Sequence, residues 1–370
     1  MIIGVPKEIK VHEYRVGMTP AGVDELVSNG HKILVQKNAG DAIGFTNADY
    51  EAAGAKIINT AKELYAKSEM IVKVKEPQKS EFKLLTENQI LFTYLHLAPD
   101  PEQAKALIAS KCIAIAYETV TSDSGALPLL SPMSEVAGRV SIIAGANALC
   151  KQAGGPGILL SGTAGVKPAT VVIIGGGVVG INAARMALGL NADVIILDKS
   201  LARLIQIDQT FNGKIKTLYS NHLNLTEAIK AADLVIGAIL TPGAAAPKII
   251  TRKMLKLMKK GTVLVDVSID QGGCFETSRA TTHENPTYVI DDVIHYCVAN
   301  IPGSVARTST LALTNATFPF ILNLANNGWK KALTSDIHLK NGLNVCRGVI
   351  THKEVANALK LKYTSPEKFL

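Results

Sequence analysis

Cysteine is sparse and carries no spacing signal. The five residues (Cys112, Cys150, Cys274, Cys297 and Cys346) are scattered, odd in number and form no C-x-x-C. This argues against a structural zinc site and favours a reducing cytoplasm. Low-complexity segments and internal repeats are absent. The stretch MIIGVPKEIK reaches Pro6, Lys7 and Glu8 after a few apolar residues and does not read as a signal peptide. No run reads as a membrane span. The longest charge-free window, Thr308 to Trp329, carries Thr, Asn and Pro throughout and reads as a buried interdomain helix. A nucleic-acid-binding surface is also missing. The net charge is +8, but the densest basic run, KIITRKMLKLMKK from Lys248 to Lys260, has no interleaved aromatics. It reads as a solvated helix face with Ile249, Leu255 and Leu257 inward. Its modest positive field helps recruit anionic substrates and cofactors.

What is present is ample apolar material, 47% of 370 residues, enough for a large core and two domains. The chain is organised around VVIIGGGVVGINAARMALGLNADVIILD, Val171 to Asp198. Val171 to Ile174 reads as a buried parallel strand. Gly175 to Gly180 is a G-x-G-x-x-G turn, followed by a helical run and a second apolar strand ending in Asp198. Gly175 permits the tight turn, Gly177 lets a pyrophosphate approach the backbone, and Gly180 lets helix and strand pack closely. The helix N-terminus offers unpaired N–H groups and a positive dipole end. Asp198 lies eighteen residues past Gly180, near the spacing for a carboxylate on a ribose 2′-OH. The combination predicts dinucleotide binding.

Strands and helices alternate on both sides of this stretch. Before it come strands Ile2–Val5, Lys32–Gln36, Met70–Lys75, Ile90–Tyr94 and Cys112–Tyr117. Helices are expected after Thr19-Pro20, around Ala48–Ala53 and Ala61–Ala66, and after Asp100-Pro101. A Ser/Gly/Pro-rich loop, Thr121 to Pro132, leads into a long helical run from Met133 to about Ala153. Strands Ile215–Tyr219, Leu234–Ala238, Val263–Val267 and Tyr288–Ile290 complete the second set. The expected fold is α/β: two doubly wound Rossmann-like domains, the first discontinuous, joined by long helices around a cleft. The expected boundaries are 1–130 plus 307–370 for the substrate domain and 131–306 for the dinucleotide domain.

Four side chains fall in loops or at strand ends, where open α/β sheets bind ligands. His96, in YLHLAPD, is a packed loop histidine or a general acid/base, since an imidazole near pKa about 6.5 does both jobs at neutral pH. Lys75, in IVKVKE, is a snorkelling surface lysine or a cation for a substrate carboxylate. Arg15, in HEYRVGMTP, is a surface ion pair or a bidentate carboxylate binder. Asp270, in VDVSIDQGGCFE, is an Asx-turn former or a catalytic carboxylate. Their shared location favours the functional member of each pair. Two cations, an imidazole and a carboxylate beside a nicotinamide suit oxidation of an amino or hydroxy acid.

GVPKE from Gly4, EYRVGMTPAGV, VKVKEP, YLHLA, SPMSEVAGR, GGGVVG, VDVSIDQGGCFE and NIPGSVARTSTLALTNAT together resemble one family. It is the alanine dehydrogenases, a group that includes the NAD-binding subunit of proton-translocating transhydrogenase. The resemblance runs from Gly4 to the end of the chain. It implies NAD-dependent, reversible deamination of L-alanine to pyruvate and ammonia by a homo-oligomer, usually a hexamer, with no metal and no membrane or nucleic-acid partner. It implies that Arg15 and Lys75 hold the substrate carboxylate, that His96 is the acid/base, and that Asp270 helps activate water. The NAD site it implies comprises Gly175, Gly177, Gly180, Ser134, Val178, Asp198, Arg203, Ser220, Ile239, Leu240, Val267, Asp270, Val298 and Ile301. Val11-His12 departs from the Asn that members often carry before the first motif's Glu, which bears on substrate affinity. Rival readings are a transhydrogenase-type subunit, a saccharopine or lysine-forming dehydrogenase, and a catalytically silent NAD-binding protein. The transhydrogenase type departs from this chain at His96 and Asp270, and retention of all four site residues argues against the silent protein.

Overall fold

Short apolar runs rich in Ile, Val and Leu make strands here because helices can cover both of their faces. In chain order the strands are β1 (Ile2–Val5), β2 (Lys32–Gln36), β3 (Lys56–Ile58), β4 (Met70–Val72), β5 (Ile90–Thr93) and β6 (Ile113–Ala116), then β7 (Thr170–Ile174), β8 (Asp193–Asp198), β9 (Lys216–Tyr219), β10 (Leu234–Gly237), β11 (Val263–Asp266), β12 (Thr287–Ile290) and β13 (Val293–Tyr296), and finally β14 (Leu343–Cys346) and β15 (Val349–Ile350). The computed structural model describes residues 1–239 and 246–370. They divide into two units, residues 1–133 with 305–370, and residues 134–304.

The first unit holds an eight-stranded sheet in the order β15-β14-β6-β5-β4-β1-β2-β3. The run from β6 to β3 is parallel, and β14 and β15 add an antiparallel edge. Strands β4, β5 and β6 are buried at every residue. The second unit holds a seven-stranded sheet, β12-β13-β11-β10-β7-β8-β9, parallel except for β12. The strand order reverses between β7 and β10, which is where such sheets open a ligand crevice. The fold is α/β with two Rossmann-like units, as the alternation implied.

Helix starts follow the local chemistry. Helix Pro20–Ser28 opens with Pro at its first position, and Thr19 Oγ1 accepts from Gly22 N at 3.2 Å. Helix Pro101–Ser110 repeats the device, with the Asp100 carboxylate accepting from Gln103 N at 3.0 Å. No described helix is long and apolar enough to cross a membrane.

Three expectations need correction. The strand expected over Met70–Lys75 ends at Val72, although Lys73 N still donates to Phe92 O and Tyr94 N to Val74 O, each at 3.2 Å. The side chain of Lys73 is fully buried, its Nζ 2.9 Å from Glu81 Oε1 and 3.3 Å from Glu8 Oε2. The basic run after Lys248 yields only a one-turn helix, Arg252–Leu255. There Leu255 is buried, but Leu257 is 43% exposed and points outward. The long run expected from Met133 to Ala153 is a helix over Ser131–Ala148 followed by a separate 3-10 turn. The second long helix, Ala306–Ser335, is broken at Gly328, where φ is 71° and ψ 158°.

Candidate active site

In the first unit, Arg15, Lys75 and His96 follow three strands that are neighbours in the sheet, β1, β4 and β5. The loop after β1 is tied to the end of β4. The buried Glu8 carboxylate accepts from Val74 N at 2.7 Å and Lys75 N at 3.3 Å. A Cβ on Gly17 would lie 2.6 Å from Val72 O, so only glycine allows this approach. Arg15 is 2% exposed. Its Nε donates to Glu13 Oε1 at 2.7 Å, its Nη2 to Glu13 Oε2, and its Nη1 to Met133 Sδ at 3.0 Å. Burial raises the Glu13 carboxyl, but the Arg15 guanidinium outweighs it and brings the pKa down to about 2. A cavity of about 400 Å³ is lined by Lys10, His12, Glu13, Arg15 and Asn38 among others.

Lys75 is half-buried and its carbonyl accepts from Thr93 Oγ1 at 2.9 Å, which joins the ends of β4 and β5. His96 is exposed and has a left-handed backbone, φ 48°. The Glu118 carboxylate accepts from Leu95 N at 3.2 Å and from His96 N at 2.6 Å. A carboxylate seated on two successive N–H groups holds a conformation that a β-carbon disfavours. His96 Nδ1 lies 4.0 Å from Glu76 Oε2. Burial raises the Glu76 carboxyl, while Lys75 and Lys10 pull it below the usual carboxylate range.

In the second unit the turn Gly175 to Gly180 leads into helix Val178–Gly189. Gly175 has φ 102°, and a Cβ on Gly180 would lie 1.9 Å from Gly175 O. The Cβ position of Gly177 meets nothing within 4 Å, and no side chain caps the helix there. Open space in front of uncapped N–H groups fits a dinucleotide pyrophosphate. Asp198, the last residue of β8, accepts from Gly176 N at 2.7 Å and from Ser200 N at 2.8 Å. These use two of about four acceptor positions on a carboxylate and leave capacity for a ribose hydroxyl. Arg203 braces the turn, its Nε on Gly176 O and its Nη1 on Gln206 Oε1 at 3.0 Å.

The other expected cofactor residues also belong to this unit. Val178 is exposed, and Ser220 N donates to Asp198 O at 2.9 Å. Ser134 lies one turn before Gly138, whose Cβ would stand 2.3 Å from Val179 O. Ile239 O accepts from Ser268 Oγ at 2.6 Å. Val298 and Ile301 are buried. Val267 and Asp270 lie on the one-turn segment Val267–Gln271, with Asp270 exposed. Leu240 lies outside the described residues.

Residues 4–137 match the family described as "Alanine dehydrogenase/PNT, N-terminal domain", and residues 141–353 its C-terminal domain. The chain belongs to the alanine dehydrogenase/PNT family. The alanine dehydrogenase of Halomonas elongata is 58% identical over 98% of both chains, and that of Methanococcus maripaludis is 56% identical over the whole of both. A solved L-alanine dehydrogenase, 47% identical, has a TM-score of 0.94 and covers 97% of this chain and 99% of its own. This member of the alanine dehydrogenase/PNT family is therefore an oxidoreductase enzyme, and its Rossmann-type fold implies a nicotinamide cofactor.

Sequence reasoning gave no structural role to the acidic residues that tie the loops of each unit. Glu8, Glu13, Glu118 and Asp266 each bind backbone N–H groups or a buried cation. Two signals were available: Glu118 directly follows an apolar strand, and Asp266 interrupts the apolar run VLVDV. The Asx-type bond considered for Asp270 is made by Asp266, which accepts from Ser268 N at 3.1 Å. Gly180→Ala should displace helix Val178–Gly189 from the turn. The expected result is weaker NADH binding and a lowered melting temperature, read by NADH fluorescence and thermal unfolding. Unchanged NADH affinity in that variant would mean that the turn does not bind the cofactor.

Proposed function

We propose that the enzyme catalyses the NAD-dependent, reversible oxidative deamination of L-alanine to pyruvate and ammonia. The observation that carries this reading is the placement of Arg15, Lys75 and His96 after three adjacent strands of one sheet. Full-length similarity to named alanine dehydrogenases supports it.

Arg15 and Lys75 bind the substrate carboxylate. The fork of Arg15 is engaged with Glu13, and Nη1 donates to Met133 Sδ. The turn at Gly177 and the N-terminus of helix Val178–Gly189 hold the pyrophosphate, and Asp198 holds a ribose hydroxyl. A bound nicotinamide dinucleotide would supply a hydride acceptor for the oxidation at Cα of alanine. Water then adds to the resulting imine carbon and ammonia departs. His96 takes the proton from that water and passes it to the amino nitrogen, so that ammonia leaves as the carbonyl forms. Its Nδ1 faces Glu76, so Nε2 is assigned to the transfer. Asp270 is assigned a part in activating water. Fixing the carboxylate at two cations positions Cα, and positioning supplies much of the rate in such reactions. The enzyme acts as a homo-oligomer, a hexamer by analogy with its family, in a reducing cytoplasm.

Mixing the protein with NAD and L-alanine and following NADH absorbance tests the activity; no NADH with alanine refutes it. Cofactor choice follows from Asp198. A 2′-phosphate adds about −1.5 to −2 charge beside that carboxylate, and Arg203 is already turned to Gly176 O and Gln206. We expect kcat/KM to favour NAD over NADP by on the order of tenfold or more, the effect of ~1.4 kcal/mol of repulsion. Equal kcat/KM with both cofactors would remove Asp198 from the ribose site.

A further inference from the structure

We propose that Asp266 is a positioning residue for Asp270, setting the loop that presents that carboxylate to the reaction. This rests on the role given to Asp270 above. Asp266 ends β11 and is fully buried. Its Oδ1 accepts from Ser268 N at 3.1 Å and faces Cys274 Sγ at 3.5 Å. Its Oδ2 accepts from Cys274 N at 2.8 Å, from Phe275 N at 3.3 Å and from Ser278 Oγ. One carboxylate thus binds the chain on both sides of Asp270, two residues before it and four to eight residues after it.

Two further features tighten the same loop. Gly272 and Gly273 have φ of 86° and 75°, and a Cβ on Gly273 would lie 2.7 Å from Asp266 Oδ2. The chain therefore folds back against the carboxylate only because glycine stands there. From the outside, Lys248 Nζ donates to the carbonyls of Gly272 and Gly273, at 2.5 and 2.8 Å. Oδ1 accepts from one N–H group, and two successive N–H groups and a hydroxyl converge on Oδ2, so an amide nitrogen at either position would face a donor with another donor.

The test uses the intact enzyme and the variants Asp266→Asn, Asp270→Asn and the double substitution. Asp266→Asn should lower kcat by roughly 10- to 100-fold, the penalty of a displaced catalytic group, with KM for alanine near its original value. The decisive reading is non-additivity. In the Asp270→Asn background, Asp266→Asn should cost nothing further, because the residue acts through the group already removed. A merely structural Asp266 subtracts the same factor from both backgrounds, and that result overturns the proposal, as does wild-type kcat in Asp266→Asn. Wild-type kcat in Asp270→Asn overturns instead the role of Asp270, whatever Asp266→Asn does. If Asp266→Asn does not fold, Ser278→Ala carries the test. It removes one donor and should lower kcat about two- to tenfold, with no further loss in the Asp270→Asn background; an additive loss in that background, or an unchanged kcat in the single variant Ser278→Ala, counts against the proposal.

Discussion

His96→Ala should lose roughly 10²–10⁴-fold in kcat, the usual contribution of a general acid/base, while NADH still binds. His96 belongs to the first unit, and the dinucleotide turn to the second. Fluorescence titration with NADH and steady-state kinetics with alanine separate the two effects. A fully active His96→Ala enzyme would transfer the proton role to Asp270. Loss of NADH binding would instead assign His96 to structure.

Arg15→Ala should abolish useful turnover and also weaken the fold. The guanidinium is 2% exposed and Glu13 5% exposed, so the substitution leaves a buried carboxylate without its cation, a change that costs about 3–5 kcal/mol. Arg15→Lys separates the two roles. It returns the charge but not the planar fork, so it should recover part of the stability and little of kcat/KM. The pair also sets an acid limit. Glu13 is held at about 2 against an ordinary value of 4.5. A carboxylate depressed on folding contributes stability that is complete above its unfolded pKa. That stability drains as pH falls from 4.5 through about 2. Urea midpoints measured across that window should fall less steeply in Arg15→Ala than in the parent. Parent-like kcat/KM together with a parent-like midpoint in Arg15→Ala would make Arg15 dispensable on both counts.

Local order was readable wherever one chemistry dominated a short stretch. The Gly175–Gly180 turn, β1, and the helix starts at Thr19-Pro20 and Asp100-Pro101 stand where side-chain period and capping residues put them. Long-range polar pairing was not readable. Lys73 and Lys75 share the run IVKVKE, and alternation alone cannot say which enters the core. The answer depends on Glu8 and Glu81, which arrive from outside that strand and meet Lys73 in the interior. Arg15 shows a second limit, burial. An ion pair was foreseen as one option, but at the surface, whereas its partner is Glu13, two residues away and buried with it. β14 and β15 escaped notice because strands of four and two residues in a mixed tail carry too little periodicity to register. The expected site residues stand out in the sequence as polar groups at or after strand ends; of the acidic residues that tie their loops, Glu118 and Asp266 carry a signal, while Glu8 looks in sequence like ordinary surface charge.

The antiparallel pairing of β14 with β6 also fixes a birth order. On the ribosome, β6 emerges 227 residues before Leu343, which at about 5–20 residues per second is a wait of roughly ten to fifty seconds. Throughout that interval, Ile113 to Ala116 present an unpaired apolar edge, the kind that neighbouring chains capture. Meanwhile residues 134–304 have been synthesised as one uninterrupted piece and are free to fold. The half of the molecule translated first is thus the last to mature, and chaperone dependence should concentrate on it.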